Sequence, residues 1–202
     1  MKNSVISIIY LLLLLYLSVS LKAQEWEFAK EKDGISVYTR PEPGTNFKAF
    51  KGETEFAADI DDVCTLIEDV ESFDEWDEDV SEIRVVSYEK GKSIRYYVVY
   101  DTPWPFTDRD LCVSVTITTD EKTGTRLLLA RSEPDLVPPD PDLVRIVNYW
   151  QKWIIQPKGN GLVHLTLEGY ADPAGDIPAW MANMAITDTP LNTLGAVREQ
   201  FK

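Results

Sequence analysis

One histidine, two cysteines and an acidic run, Asp77-Glu78-Asp79, are the side chains with which this chain would have to perform hydrolysis, nucleophilic attack or metal binding. None stands in a pattern that such chemistry uses. His164 lies in "LVHLTLEG", where it alternates with Thr166 and Glu168 against Val163, Leu165 and Leu167, so it belongs to the outward face of a strand. No nucleophile sits near it to be activated. A metal needs several converging ligands, and one histidine with two separated cysteines offers no usual spacing. The acidic triplet reads as a solvated face, since paired carboxylates for hydrolysis need a protected cleft. The expectation is a protein that is not an enzyme and holds no metal and no cofactor.

Two further stretches carry polar groups on apolar bodies. Tyr96, Tyr97 and Tyr100 in "RYYVVY" either line a pocket or pack as ordinary strand residues, and periodicity leaves both open. In "DTPWPFTDRDLCVSV", residues 101–115, Pro103 and Pro105 cannot donate ladder hydrogen bonds, so the strand ending at Tyr100 must stop there. The stretch reads as a structural corner, with the Trp104 ring capping one end of the core and Arg109 and Asp110 pinning the chain as it re-enters the sheet.

Periodicity supplies the elements that position these residues. Residues 1–23 open on Lys2, run apolar from Val5 to Val19 and end on small Ala23, the order of a secretory signal peptide. The run is short for a bilayer span of roughly 20 residues, so cleavage near Ala23 and a periplasmic or extracellular destination are expected, with an uncleaved amino-terminal anchor as the alternative. Residues 24–202 then make one domain of ordinary size. The chain carries 20 basic and 34 acidic residues, a net charge of −14, which becomes −16 when Lys2 and Lys22 leave with the leader. Such a surface repels nucleic acid and anionic headgroups, so any membrane contact is expected to be transient and apolar. A monomer is expected.

Asp33-Gly34 marks a turn before a strand through Tyr38, and "NFKAFKGETEF" alternates as a second strand. A helix with acidic residues in its first turn follows over about 59–70. Strands are then spaced at about 83–89, 93–100, 110–119, 126–131, 143–156 and 162–171. "DPAGDIPAWMANMAITDTPLNTLGAVREQF" closes the chain as one long helix, with Asp176 placed to cap it, Pro178 in its first turn and Pro190 as a mid-helix kink. Cys64 shares a helical stripe with Ile60, Val63 and Ile67, whereas Cys112 points with Ser114 and Thr116 away from an apolar strand face, so two separate thiols are expected. A long antiparallel sheet covered by one amphipathic helix encloses either a packed core or a hydrophobic pocket.

"PWPFTDRD", together with "GISVYTR", "FKAFKGE", Glu75-Trp76, Val144-Arg145 and "DPAGDIPAWMAN", resembles the START domain, the lipid-transfer fold related to the steroidogenic regulatory protein, here in a bacterial exported form. The resemblance runs from about Trp26 to Gln200. It implies an α+β helix-grip fold, a curved antiparallel sheet wrapped around a long C-terminal helix with an internal hydrophobic cavity. It further implies binding of a single hydrophobic small molecule, a lipid, for transfer or sensing. The alternatives are a polyketide-cyclase or aromatase-like enzyme of the same grip fold, and an interaction module whose core is filled. Sterol-binding relatives place an acid and an arginine on the strands flanking the corner. Alignment on Trp76, Gly91 and Arg109-Asp110 puts Val99 and Val115 at those positions, so ligand identity does not carry over. The cavity candidates are Tyr97, Val99, Val115 and Leu129 on strands, with Trp180, Met181 and Met184 on the closing helix.

Overall fold

Turn residues that tolerate a left-handed backbone cut this chain into strands. Asp33 (φ 51°) and Gly34 (φ 73°) reverse β1 (Glu27–Lys32) into β2 (Ile35–Pro41), and Gly91 (φ 68°) reverses β4 (Val80–Glu89) into β5 (Ser93–Tyr100). The computed structural model describes residues 25–75 and 79–202; the leader expected over 1–23 and the Trp76 of the Glu75-Trp76 match lie outside the described residues. Between the two hairpins come β3 (Lys48–Ala57), α1 (Ile60–Glu68) and a short 3₁₀ helix (Val70–Glu75). After β5 follow β6 (Arg109–Thr119), β7 (Arg126–Ser132), β8 (Val144–Arg145), β9 (Tyr149–Gly159), β10 (Leu162–Ala171), α2 (Ala179–Ala185) and α3 (Asp188–Glu199).

The strands form one antiparallel sheet in the order β1-β2-β3-β10-β9-β7-β6-β5-β4, with the two-residue β8 added in parallel to the start of β6. The single strand expected over 143–156 is therefore two elements, because Ile146 to Asn148 carry the chain from its pairing with the start of β6 to its place between β7 and β10. Pairing fixes the faces. Ile94, Tyr96 and Val98 of β5 oppose Val115, Val113 and Leu111 of β6, and Leu128 and Ala130 of β7 oppose Ile117 and Val115. With Trp153, Ile155, Leu165 and Leu167 these side chains make one buried cluster on the inner face.

Two helical pieces cover that face. Asp59 caps α1 by accepting the Asp61 N–H at 2.7 Å, and the stripe Val63, Cys64 and Ile67 is buried as spaced. α3 buries Leu194 and Val197, and it rests directly on the β3 backbone. A Cβ at Gly52 would stand 2.7 Å from both Leu194 Cδ1 and Pro190 Cβ, so only glycine permits this approach. The closing segment is not one helix: α2 and α3 are separate, meeting at Ile186-Thr187. Pro190 consequently lies in the first turn of α3, where its missing N–H has no helical partner to lose, and not at a mid-helix kink. Asp176 does not cap α2, whose N-cap is Pro178 without a side-chain hydrogen bond.

Candidate functional site

Between the inner face and α3 lies a hollow of about 290 Å³. Its strand wall is Tyr96 and Tyr100 of β5, Leu111 of β6, and Tyr149, Gln151 and Trp153 of β9; Ile186, Thr189 and Thr193 close it from the helical side. Phe50 of β3 reaches in across β10 because Gly169 leaves room: a Cβ there would fall 2.5 Å from the ring. A narrow continuation of about 20 Å³ runs beneath Phe73 toward α1 and reaches Val115, Leu128 and Ala130. It shares Phe73, Tyr96, Gln151 and Trp153 with the main space.

Burial lifts the pKa of both Tyr96 and Tyr149 above the ordinary tyrosine value, so both hydroxyls stay protonated. The Trp153 Nε1–H donates to Gln151 Oε1 at 3.2 Å, which leaves the Gln151 amide nitrogen as a donor. These β9 residues were passed over in the sequence reading. Their signal was the alternation Tyr149, Gln151, Trp153 in "YWQKW", hidden inside a stretch read simply as apolar.

Only some of the expected cavity residues come to this space. Val115 lines the continuation. Tyr97 and Val99 do not reach it: they pair with Cys112 and Asp110 on the opposite, outer face, so the expectation that they face the cavity is not met. Because side chains alternate strictly along a strand, a one-residue slip exchanges the faces. Leu129 pairs with Thr116 and Lys152 and likewise faces outward, while its neighbours Leu128 and Ala130 face in. Trp180 and Met184 of α2 are 62% and 72% exposed, and Met181 is half-buried, because α2 buries none of its residues.

The outer face beneath Tyr97 and Val99 is filled instead. With Cys112 they form a second buried cluster covered by Leu136, Val137 and Leu143 of the β7–β8 connection. Arg145 fastens that connection. Its Nε and Nη2 donate to the two Asp110 carboxylate oxygens at 2.8 and 2.6 Å, and its Nη1 donates to the Pro134 and Val137 carbonyls at 2.6 and 3.2 Å. Burial, the Asp110 charge and a hydrogen bond to Asp110 push the Tyr97 hydroxyl up to about 12. Arg95, on the same face, donates two hydrogen bonds to Glu133.

At the 101–108 corner, Asp108 accepts the Thr102 N–H at 2.7 Å, and the Asp101 N–H donates to the Asp79 carbonyl at 2.8 Å. Arg109 is buried and donates to the Thr107 carbonyl and, at 3.3 Å, to the Pro173 carbonyl, which ties the corner to the segment leading into α2. Trp104 does not cap the core. It is 92% exposed, at the tip of this corner.

His164 stands on the outer face, half-buried, 3.9 Å from Glu55. Cys64 and Cys112 are both buried and unpaired with each other. Among the described residues no group of three His, Cys, Asp or Glu side chains converges as a metal site.

A family model described as START domain matches residues 11–196. An uncharacterized protein of Pseudomonas aeruginosa is 35% identical over 178 residues, covering 87% of this chain and 86% of that protein. The phosphatidylcholine transfer protein of Bos taurus is 29% identical over 174 residues, covering 82% and 79%. Among solved structures, the STAR-related lipid transfer protein from Xanthomonas axonopodis is similar with a TM-score of 0.80 at 30% identity, covering 87% of this chain and 97% of that one.

Proposed function

The chain belongs to the START domain family, and on that footing we propose that it is an exported carrier or sensor that holds one hydrophobic molecule, a lipid, in the hollow between the sheet and α3. The observation that carries this reading is the hollow itself, placed where the β9 and β5 side chains fail to meet α3. Each ligand methylene buried there contributes roughly 0.8 kcal/mol, so a modest chain binds without a directed polar contact. The phosphatidylcholine in the bovine relative's name sets a lipid class to test and no more.

Delivery follows from the end of the sheet at which Tyr100, Ala171 and Ile186 lie. There the exposed Trp104 projects from the corner, and the segment bonded to Arg109 leads into α2 with exposed Trp180 and Met184. Three large apolar side chains at one end suit brief insertion into a bilayer surface, the form of contact that so acidic a chain, net −14, makes readily. Uptake of the neutral dye N-phenyl-1-naphthylamine, followed by fluorescence, tests the reading. Saturable one-to-one binding that is lost in Thr193→Phe is expected; no binding, or equal binding by the variant, would overturn it.

A further inference from the structure

We propose that the hollow selects an uncharged amphiphile with a single chain or a compact ring system, held through its oxygen by Tyr96, Tyr149 and Gln151, and excludes lipids with a phosphate or carboxylate headgroup. This deepens the lipid-binding reading above and rests on it.

Charge is the first ground. Among the described residues that line the hollow, the one charged side chain is Asp79. The neighbouring sequence positions Trp76, Asp77 and Glu78 contain no base. An anionic headgroup drawn inside would therefore be desolvated without a cation from the described lining, an arrangement that folded proteins avoid. Arg109 is next after Tyr100 on the inner face by register, but its guanidinium is engaged by the Thr107 and Pro173 carbonyls of the corner.

Hydrogen bonding is the second. Tyr96 and Tyr149 both line the hollow, and a phenol donates one hydrogen bond and accepts others. Gln151 adds amide protons beside them, and Thr189 and Thr193 add hydroxyls from the facing helix. Such a wall gives and accepts neutral hydrogen bonds, which suits a hydroxyl, ester or ketone oxygen. Size is the third. At about 290 Å³ the space stands at the lower end of small-molecule sites, roughly 300–1,000 Å³, and the continuation beneath Phe73 adds only about 20 Å³. A space of this size suits one chain better than two.

Displacement of N-phenyl-1-naphthylamine by ligands of equal chain length tests the proposal: 1-decanol, decanoate, decyl phosphate and decylphosphocholine. Decanol is expected to displace the dye at a concentration at least about tenfold below any charged compound. In the double variant Tyr149→Phe, Gln151→Met the decanol dissociation constant, obtained from displacement after the dye's own affinity for the variant is measured, is expected to rise by roughly three- to tenfold. A charged compound competing as well as decanol, or decanol unaffected by the double variant, would overturn the proposal and leave the hollow as a binding site. Failure of the dye to bind the parent protein would take down the underlying reading as well.

Discussion

β5 and β6 build two apolar regions from alternate residues of the same stretch, one on each side of the sheet. On the outer side Tyr97, Val99 and Cys112 are packed under Leu136, Val137 and Leu143, and the cover is fastened by the Arg145–Asp110 pair. On the inner side Tyr96, Tyr100 and Leu111 face α3 across an open space. The outer tyrosine is packed beneath its cover, where the Asp110 charge perturbs it, whereas the inner tyrosine lines the open space. Two apolar clusters of similar composition thus differ in whether the protein itself supplies the last layer. Apolar patterning alone marks a buried surface, not what buries it.

The largest expected effect lies on the filled side. Asp110→Ala strands the mostly buried Arg145 guanidinium, and urea denaturation is expected to show a loss of about 3–5 kcal/mol. Dye uptake at a temperature where the variant is folded should change less than about twofold. If uptake disappears while stability holds, the two faces are not independent.

Thr193→Phe addresses the hollow side. Its ring occupies space adjoining Thr189 and Tyr149, so dye affinity is expected to fall by more than about tenfold, with stability altered by no more than about 1–3 kcal/mol. A filled core would respond in the opposite way, with strain and unfolding but no affinity to lose.

Alkaline pH sharpens the contrast at the level of buried acids. Burial raises the Cys64 thiol from 9.0 to about 11. Below pH 9 the thiol is protonated in folded and unfolded chains alike, and its contribution to stability is fully present. Between pH 9 and about 11 only the unfolded chain ionises, so stability should fall as pH rises through that window. Tyr96 and Tyr149, raised by burial, extend the same trend upward. Urea midpoints measured across this range check the sign; a rise in stability with pH would contradict it.

The smallest effect on the fold is expected at Trp104. Because the ring is almost wholly in water, Trp104→Ala should change stability by less than about 0.5 kcal/mol. Co-sedimentation with neutral vesicles should nevertheless drop several-fold, and added salt should leave the residual binding unaltered. Unchanged co-sedimentation would move the membrane contact elsewhere.

Much of this architecture could be read from the chain because the strands alternate and the turns carry Gly and Asp where positive φ is required, as at Asp33-Gly34 and Gly91. The α1 stripe of Val63, Cys64 and Ile67 was equally legible, since helical period and burial coincide there. The hollow was less so. "YYVVY" is apolar on both faces, and nothing local says that Tyr96 and not Tyr97 looks inward; the register is set by pairing with Leu111, Val113 and Val115 across the corner. Leu127, Leu128 and Leu129 pose the same ambiguity, and β9 resolves it by placing Trp153 opposite Leu128. The break between α2 and α3 and the exposure of Trp180 escaped the reading because proline and helix-forming residues fit one kinked helix as well as two short ones.

Native mass spectrometry of the parent protein and of Thr193→Phe, each purified from the producing cells without detergent, tests the central claim most directly. The expected result is a parent protein carrying a single hydrophobic adduct in one-to-one ratio, released by organic solvent, and a folded variant that carries none. An empty parent protein, or an adduct retained equally by the variant, would contradict the claim that the space between β9 and α3 is a ligand site.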